Sequence, residues 1–116
     1  MTLADKDCIP CRGGVPPLDA DERKRLLDDL GHEWTIQEPA SSDDPHKLEK
    51  TFRFDDFVTA LAFVNRVGEL AEAQGHHPDL YLAWGRVTVW IWTHKIRGLT
   101  ESDFVLAAKI ERDAAI

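Results

Sequence analysis

The chain has 116 residues, 43% hydrophobic and 30% charged, a composition that suits one domain with one core and excludes a disordered or membrane-embedded chain. Its formal net charge of -7 argues against non-specific binding to nucleic acid or an anionic membrane, because a phosphate surface would repel it, but leaves room for a small anionic ligand in a local positive patch. No stretch of about 18 apolar residues is present to span a bilayer, and the charged segment Met1 to Asp7 has no apolar core of the signal-peptide kind, so the expected location is the cytoplasm.

Residues 1 to 17 read as an extended N-terminal arm, because Gly13, Gly14, Pro16 and Pro17 resist regular structure, and residues 18 to 116 read as a single domain. The arm carries the only two cysteines, Cys8 and Cys11, spaced as C-x-x-C. One such pair is half of a four-cysteine zinc site, and no second pair exists. A redox pair would follow a strand and open a helix, which this polar arm does not do. Exposed, incidental thiols are therefore the expectation, with a site shared between two subunits left open.

The first helix is predicted from Asp19, a natural N-cap, to about Leu30, with Gly31 placed to end it. Glu33 to Glu38 suits a short strand with Trp34 and Ile36 on one face, and the turn-rich stretch Pro39 to His46 suits a hairpin loop. Lys47 to Phe54 alternates, with Leu48, Lys50, Phe52 and Phe54 against Glu49, Thr51 and Arg53, as a half-buried strand does.

The longest helix is predicted from about Asp55 to Gln74, stopped by Gly75. Its apolar residues spread wider than one stripe, so a sheet should cover one side and another helix or subunit a second. Asp79 to Trp84 and Arg86 to Thr93 read as strands joined at Gly85. In the second, Val87, Val89, Ile91 and Thr93 share an aliphatic face, and Thr88, Trp90, Trp92 and His94 share the opposite, aromatic and polar one. Trp90 and Trp92 read as subunit-contact or pocket-wall residues. The last helix starts at Thr100, where Thr100 and Asp103 form a capping-box pair. The order α-β-β-α-β-β-α, with hairpin pairing, predicts an α+β fold: a four-stranded antiparallel sheet with three helices on one face.

Five histidines are present, and His32 and His46 fall in polar turns where solvent satisfies them. His76 and His77 follow the helix stop at Gly75, and Pro78 holds His77 extended. Glu72, one helical turn before His76, is placed to hold that ring or fix its tautomer. His94 closes the aromatic face of the last strand. Taken singly, any one of these histidines reads as a helix-end or surface residue.

Together they form a spaced string: Glu72-x-x-x-His76-His77-Pro78, five residues to Trp84, nine to His94 and eight to Asp103. The string resembles the pattern of the pterin-4a-carbinolamine dehydratase family, as do Asn65-Arg66-Val67 and the closing segment of Thr93-His94, Gly98-Leu99-Thr100 and Asp103, so that the resemblance runs from the first helix to the last. It implies a cytoplasmic hydro-lyase that dehydrates 4a-hydroxytetrahydropterins to quinonoid dihydropterins, recycling the cofactor of aromatic amino-acid hydroxylases. It implies His76 and His94 as the acid/base pair, His77 as the residue that holds the pterin, and Glu72, Pro78 and Trp84 as neighbours of the substrate. No metal or organic cofactor is implied, and a homodimer or homotetramer is expected. Asp103 is accounted for by the helix cap. A non-catalytic role on the same scaffold, as a dimerisation cofactor of a transcription factor or a Rubisco assembly factor, is the second expectation. A metal site built from Glu72, His76, His77 and His94 is the third, and is made awkward by adjacent histidines that point apart in extended chain.

Overall fold

The structure, a computed structural model, describes residues 2–8 and 16–114. Cys11 and the Gly13-Gly14 pair lie outside the described residues. Three helices, α1 (Ala20–Leu30), α2 (Phe57–Gln74) and α3 (Glu101–Lys109), accompany four strands, β1 (Thr35–Gln37), β2 (Lys47–Arg53), β3 (Asp79–Ala83) and β4 (Arg86–Ile91). The sheet is antiparallel throughout, in the order β1-β2-β4-β3. The two hairpins therefore meet at the central β2–β4 pair, where Leu48 faces Ile91 and Phe52 faces Val87. This is the α+β architecture that the periodicities predict.

Helices α1 and α2 begin on carboxylate caps, which satisfy amide groups that have no partner inside the helix. Asp19 accepts from the Glu22 amide at the start of α1, and Asp56 accepts from the Thr59 amide at the start of α2. Gly75 ends α2 with a left-handed backbone (φ +63°), a conformation in which other residues are strained. The helices cover one sheet face. Leu48, Phe52, Val87, Val89 and Ile91 meet Ala60, Phe63 and Val67 of α2 and Phe104, Leu106 and Ala107 of α3 in a continuous buried core. Phe63 packs against Phe52 and Phe54, with ring centroids 4.6 and 5.2 Å away.

Lys50 lies on the inner face of β2, as its period predicts, and is neutralised there by Glu111, which also accepts from the Trp34 indole at 2.9 Å. A buried charge needs such a partner. Glu111 belongs to a π-helical turn, Ile110–Ala114, that continues α3. On α2, Phe57, Val58 and Leu61 stay exposed within one chain, Val58 by 74%. The sheet covers α2 as expected, and among the described residues the side that carries Phe57, Val58 and Leu61 is left exposed.

Two elements differ from expectation. Strand β4 stops at Ile91 rather than Thr93, because Thr93 forms an isolated bridge with Gly98 and the chain turns back through His94 to Arg97. Gly98 has to be a glycine, since a Cβ there would stand 2.6 Å from Cβ of Pro17. The arm, for its part, does not run free. Leu3–Asp5 forms a short 3-10 turn, Lys109 donates to the Ala4 carbonyl at 2.9 Å, and Lys6 pairs with Glu101 at 3.1 Å. Cys8 is half-buried, its amide donating to Gln74 and its thiol to the Ser102 carbonyl. The described part of the arm thus straps the end of α2 to the start of α3, so Cys8 is not the exposed, incidental thiol of the sequence reading.

Two outcomes follow from this packing. Phe63→Ala should lower unfolding free energy by about 3–5 kcal/mol, the cost of a large core cavity, measured by urea denaturation. Asp56 is held below the ordinary aspartate value of 3.8 by hydrogen bonds from the Thr59 hydroxyl and amide. A lowered folded value means that its contribution is complete above the unfolded value and is lost as pH falls through the lower folded one. Asp56→Asn cannot titrate, so its stability should decline less steeply below pH 3.8 than that of the wild type; equal slopes would refute this.

Candidate functional site

The site forms where the end of α2 meets the start of α3 and the end of β4. Past the left-handed Gly75, the His76 amide donates back to the Ala71 carbonyl at 3.2 Å, which swings the imidazole inward. His76 is only 9% exposed. Its Nε2 donates to Oδ1 of Asp103 at 2.6 Å, a pairing the sequence reading did not foresee. Glu72, expected on His76, instead accepts from Nε2 of His77. The reason is geometric: the reversal at Gly75 turns His76 away from the exposed face of α2, which carries Glu72, while His77 stays on the exposed side.

Asp103 does more than cap a helix. Its Oδ2 accepts from the Thr100 amide at 2.8 Å, the capping-box bond, and from the Thr93 hydroxyl at 3.0 Å, while Oδ1 receives His76. The residue is completely buried. Three donors, together with the N-terminal end of α3, compensate the desolvation of its charge. The cap expected from sequence is present, and the same side chain also fixes His76. Because a carboxylate only accepts, Nε2 of His76 carries the proton and Nδ1 is the nitrogen left for exchange. Thr93 and Thr100, whose hydroxyls lie 3.0 Å apart, complete the network. The sequence marks Thr100 as the capping partner of Asp103 and places Thr93 at the end of the aliphatic face of β4 and in the closing segment, but it gives neither a bond to the histidine site.

His94 follows Thr93 and is exposed on the opposite, outer side. Its ring packs on Trp92, with centroids 4.3 Å apart. Thus the network His76–Asp103–Thr93 ends one residue from His94 and connects the two segments of the motif. No hydrogen bond joins two of the three imidazoles among the described residues. Pro78 is half-buried between His77 and β3.

Trp84 is not brought to this cluster. The register pairs Asp79 with Trp90 at one end of the β3–β4 hairpin and Ala83 with Arg86 at the other, so Trp84 sits in the far turn. Six residue steps along the strand separate it from Pro78, a distance of roughly 20 Å. It is 69% exposed and lines an open depression of about 430 Å³ with Arg53, Phe54 and Arg86. Within one chain Trp84 therefore stands apart from the histidines. His46 pairs with Glu38 at 3.1 Å across the β1–β2 loop, and His32 is exposed, 3.9 Å from Glu111. Among the described residues, no three His, Cys, Asp or Glu side chains group as a metal would require, and no helix is long and apolar enough to cross a membrane.

Residues 16–112 match the sequence model of the family described as pterin 4 alpha carbinolamine dehydratase. The chain belongs to that family. Among its relatives is a Rubrobacter xylanophilus protein, provisionally named pterin-4-alpha-carbinolamine dehydratase, that is 54% identical over 95% of this chain and 96% of its own length. A Methylococcus capsulatus protein with the same provisional name is 47% identical over 98% of this chain and 95% of its own. In three dimensions the pterin dehydratase family member described here is similar to a Brucella melitensis protein described as a transcriptional coactivator/pterin dehydratase (TM-score 0.71, 31% identity, 84% of this chain and 98% of that one). A pterin dehydratase-like protein identified as a RuBisCO assembly factor in the alpha-carboxysome shares the fold at 23% identity, with a TM-score of 0.57 over 72% of this chain and 90% of that one.

Asp103→Asn tests the buried network. The amide would turn a donor toward His76 and force the ring proton from Nε2 to Nδ1. The expected result is an inverted tautomer in the 15N spectrum of His76 and a stability loss of about 1–3 kcal/mol. An unchanged tautomer would show that Asp103 does not hold the ring.

Proposed function

We propose that this protein catalyses the dehydration of 4a-hydroxytetrahydrobiopterin, or a close 4a-hydroxytetrahydropterin, to the quinonoid dihydropterin and water. The observation that carries the reading is the buried Asp103, which orients His76 and is tied through Thr93 to the strand end bearing His94. Breaking the C4a–O bond requires a proton delivered to the leaving oxygen, and the proton on N5 must be taken away as the C4a–N5 double bond forms. One acid and one base suffice, and imidazoles serve as either near neutral pH. His76, through Nδ1, and His94 are the proposed proton-transfer pair. His77, exposed and held by Glu72, is the proposed pterin-holding residue, with Pro78 beside it. Trp84 stands too far along the hairpin to serve the same chain's histidines. Neither a metal nor an organic cofactor has a step in this chemistry.

The proposed setting is the cytoplasm, where the reaction would return the pterin to aromatic amino-acid hydroxylases. The exposed Phe57, Val58 and Leu61 on α2 support a homodimer or homotetramer. A net charge of -7 supports a protein that makes no direct contact with nucleic acid or membrane. A second reading, a non-catalytic assembly or dimerisation cofactor, draws on the coactivator description of the Brucella relative. The intact histidine string ranks it second.

The deciding experiment is an assay of 4a-hydroxypterin dehydration by pure protein. Acceleration over the spontaneous rate is expected, and its absence would leave the non-catalytic reading. Within the enzyme, His76→Ala and His94→Ala should each lower kcat by a factor of 10²–10⁴, roughly what one positioned acid or base contributes. His77→Ala should act mainly on KM. Wild-type rates in all three variants would mean that the site lies elsewhere.

A further inference from the structure

The three imidazoles are not held alike. His76 is fixed by Asp103 and His77 by Glu72, whereas among the described residues the His94 ring makes neither a hydrogen bond nor an ion pair. Its backbone is well fixed. The Thr93 amide donates to Gly98 at 2.9 Å, and the amides of Ile96 and Arg97 both return to the Thr93 carbonyl, at 3.2 and 2.9 Å. An exposed side chain on such a turn would still sample several rotamers, and ordering it has to come from a contact.

That contact is Trp92. The two ring centroids lie 4.3 Å apart with the planes tilted by 55°, so the rings are in direct contact. The indole is braced in turn. The β2–β4 register, continued one residue beyond Leu48 and Ile91, sets Lys47 across from Trp92, and the Lys47 ammonium stands 4.3 Å from the indole centroid. Lys47, Trp92 and His94 therefore follow one another in contact, the last two in the segment that leaves β4 after Ile91.

We infer that Trp92 is a positioning residue for His94, its indole fixing the direction in which the imidazole is presented. The inference rests on the reading of His94 as a proton-transfer group. A flat aromatic partner suits that task in a way a carboxylate does not. It occupies neither ring nitrogen, so both stay available to substrate. It also attracts the ring in either charge state, by stacking when neutral and through the π face when protonated. His94 can then gain and lose a proton without losing its orientation.

Two measurements test this. In the wild type, nuclear Overhauser contacts should join the His94 ring protons to the Trp92 indole, with His94 resonances displaced by the indole ring current; their absence would overturn the proposal without any variant. Trp92→Leu should abolish the displacement and lower kcat about tenfold with KM unchanged, a smaller loss than the ~100-fold that a ~1 Å misplacement costs. Trp92→Phe, which keeps a flat face, should restore most of the turnover. If Trp92→Leu keeps the wild-type kcat while His94→Ala is inactive, Trp92 does not position His94. If His94→Ala itself keeps the wild-type rate, the failure belongs to the catalytic reading of His94 and takes the functional part of this proposal with it.

Discussion

A carboxylate buried at the start of α3 organises this molecule. Asp103 takes three hydrogen bonds, from the Thr100 amide, the Thr93 hydroxyl and His76, and these donors come from the N-cap of its own helix, the chain leaving β4 and the chain leaving α2. Removing a carboxylate from water is costly unless its lone pairs are filled. Here they are filled only if three separated segments arrive together. The cap that starts a helix thus also sets where the sheet ends and where the long helix delivers its histidines.

Around that anchor the three imidazoles sit in three environments: one buried on a buried acid, one exposed on an exposed acid, one exposed on an indole. Equivalent groups in a row could not divide acid, base and binding roles among themselves. Different orienting partners are what separates such roles. The arm adds to the same junction from outside, since Cys8 reaches both Gln74, next to the stop of α2, and Ser102, next to Asp103. Gly98 lets Pro17 close over the turn that carries His94.

Much of this was legible in the sequence for a local reason. Alternation in Lys47 to Phe54, helical periodicity ended by Gly75 and the Thr-x-x-Asp cap are near-neighbour patterns, and all three stand as expected. The string from Glu72 to Asp103 includes both His76 and Asp103, which the fold brings into contact, because spacing survives in one dimension. What the sequence withheld is what depends on direction. Glu72 is one helical turn from His76 in an uninterrupted helix, but the left-handed Gly75 lies between them, and the carboxylate meets His77 instead. Trp84 is near His77 in sequence yet at the opposite end of a hairpin. By alternation Thr93 is the last strand residue; the bridge to Gly98, a contact with residues beyond the strand, makes it the first residue of a turn.

The same network would couple the proposed catalysis to folding unequally across the site. Truncating His76 removes a donor from a carboxylate with no access to water, at a cost of about 1–3 kcal/mol for the unsatisfied group. Truncating His94 removes only a surface contact with Trp92, and truncating His77 releases an exposed Glu72 to solvent. A rate lost in His94→Ala is therefore a statement about chemistry, whereas one lost in His76→Ala mixes chemistry with a loosened α2–α3 junction. His76→Gln, with an amide able to donate toward Asp103, separates the two: if it restores stability and not turnover, His76 acts on the substrate, and if it restores both, the residue serves only the junction.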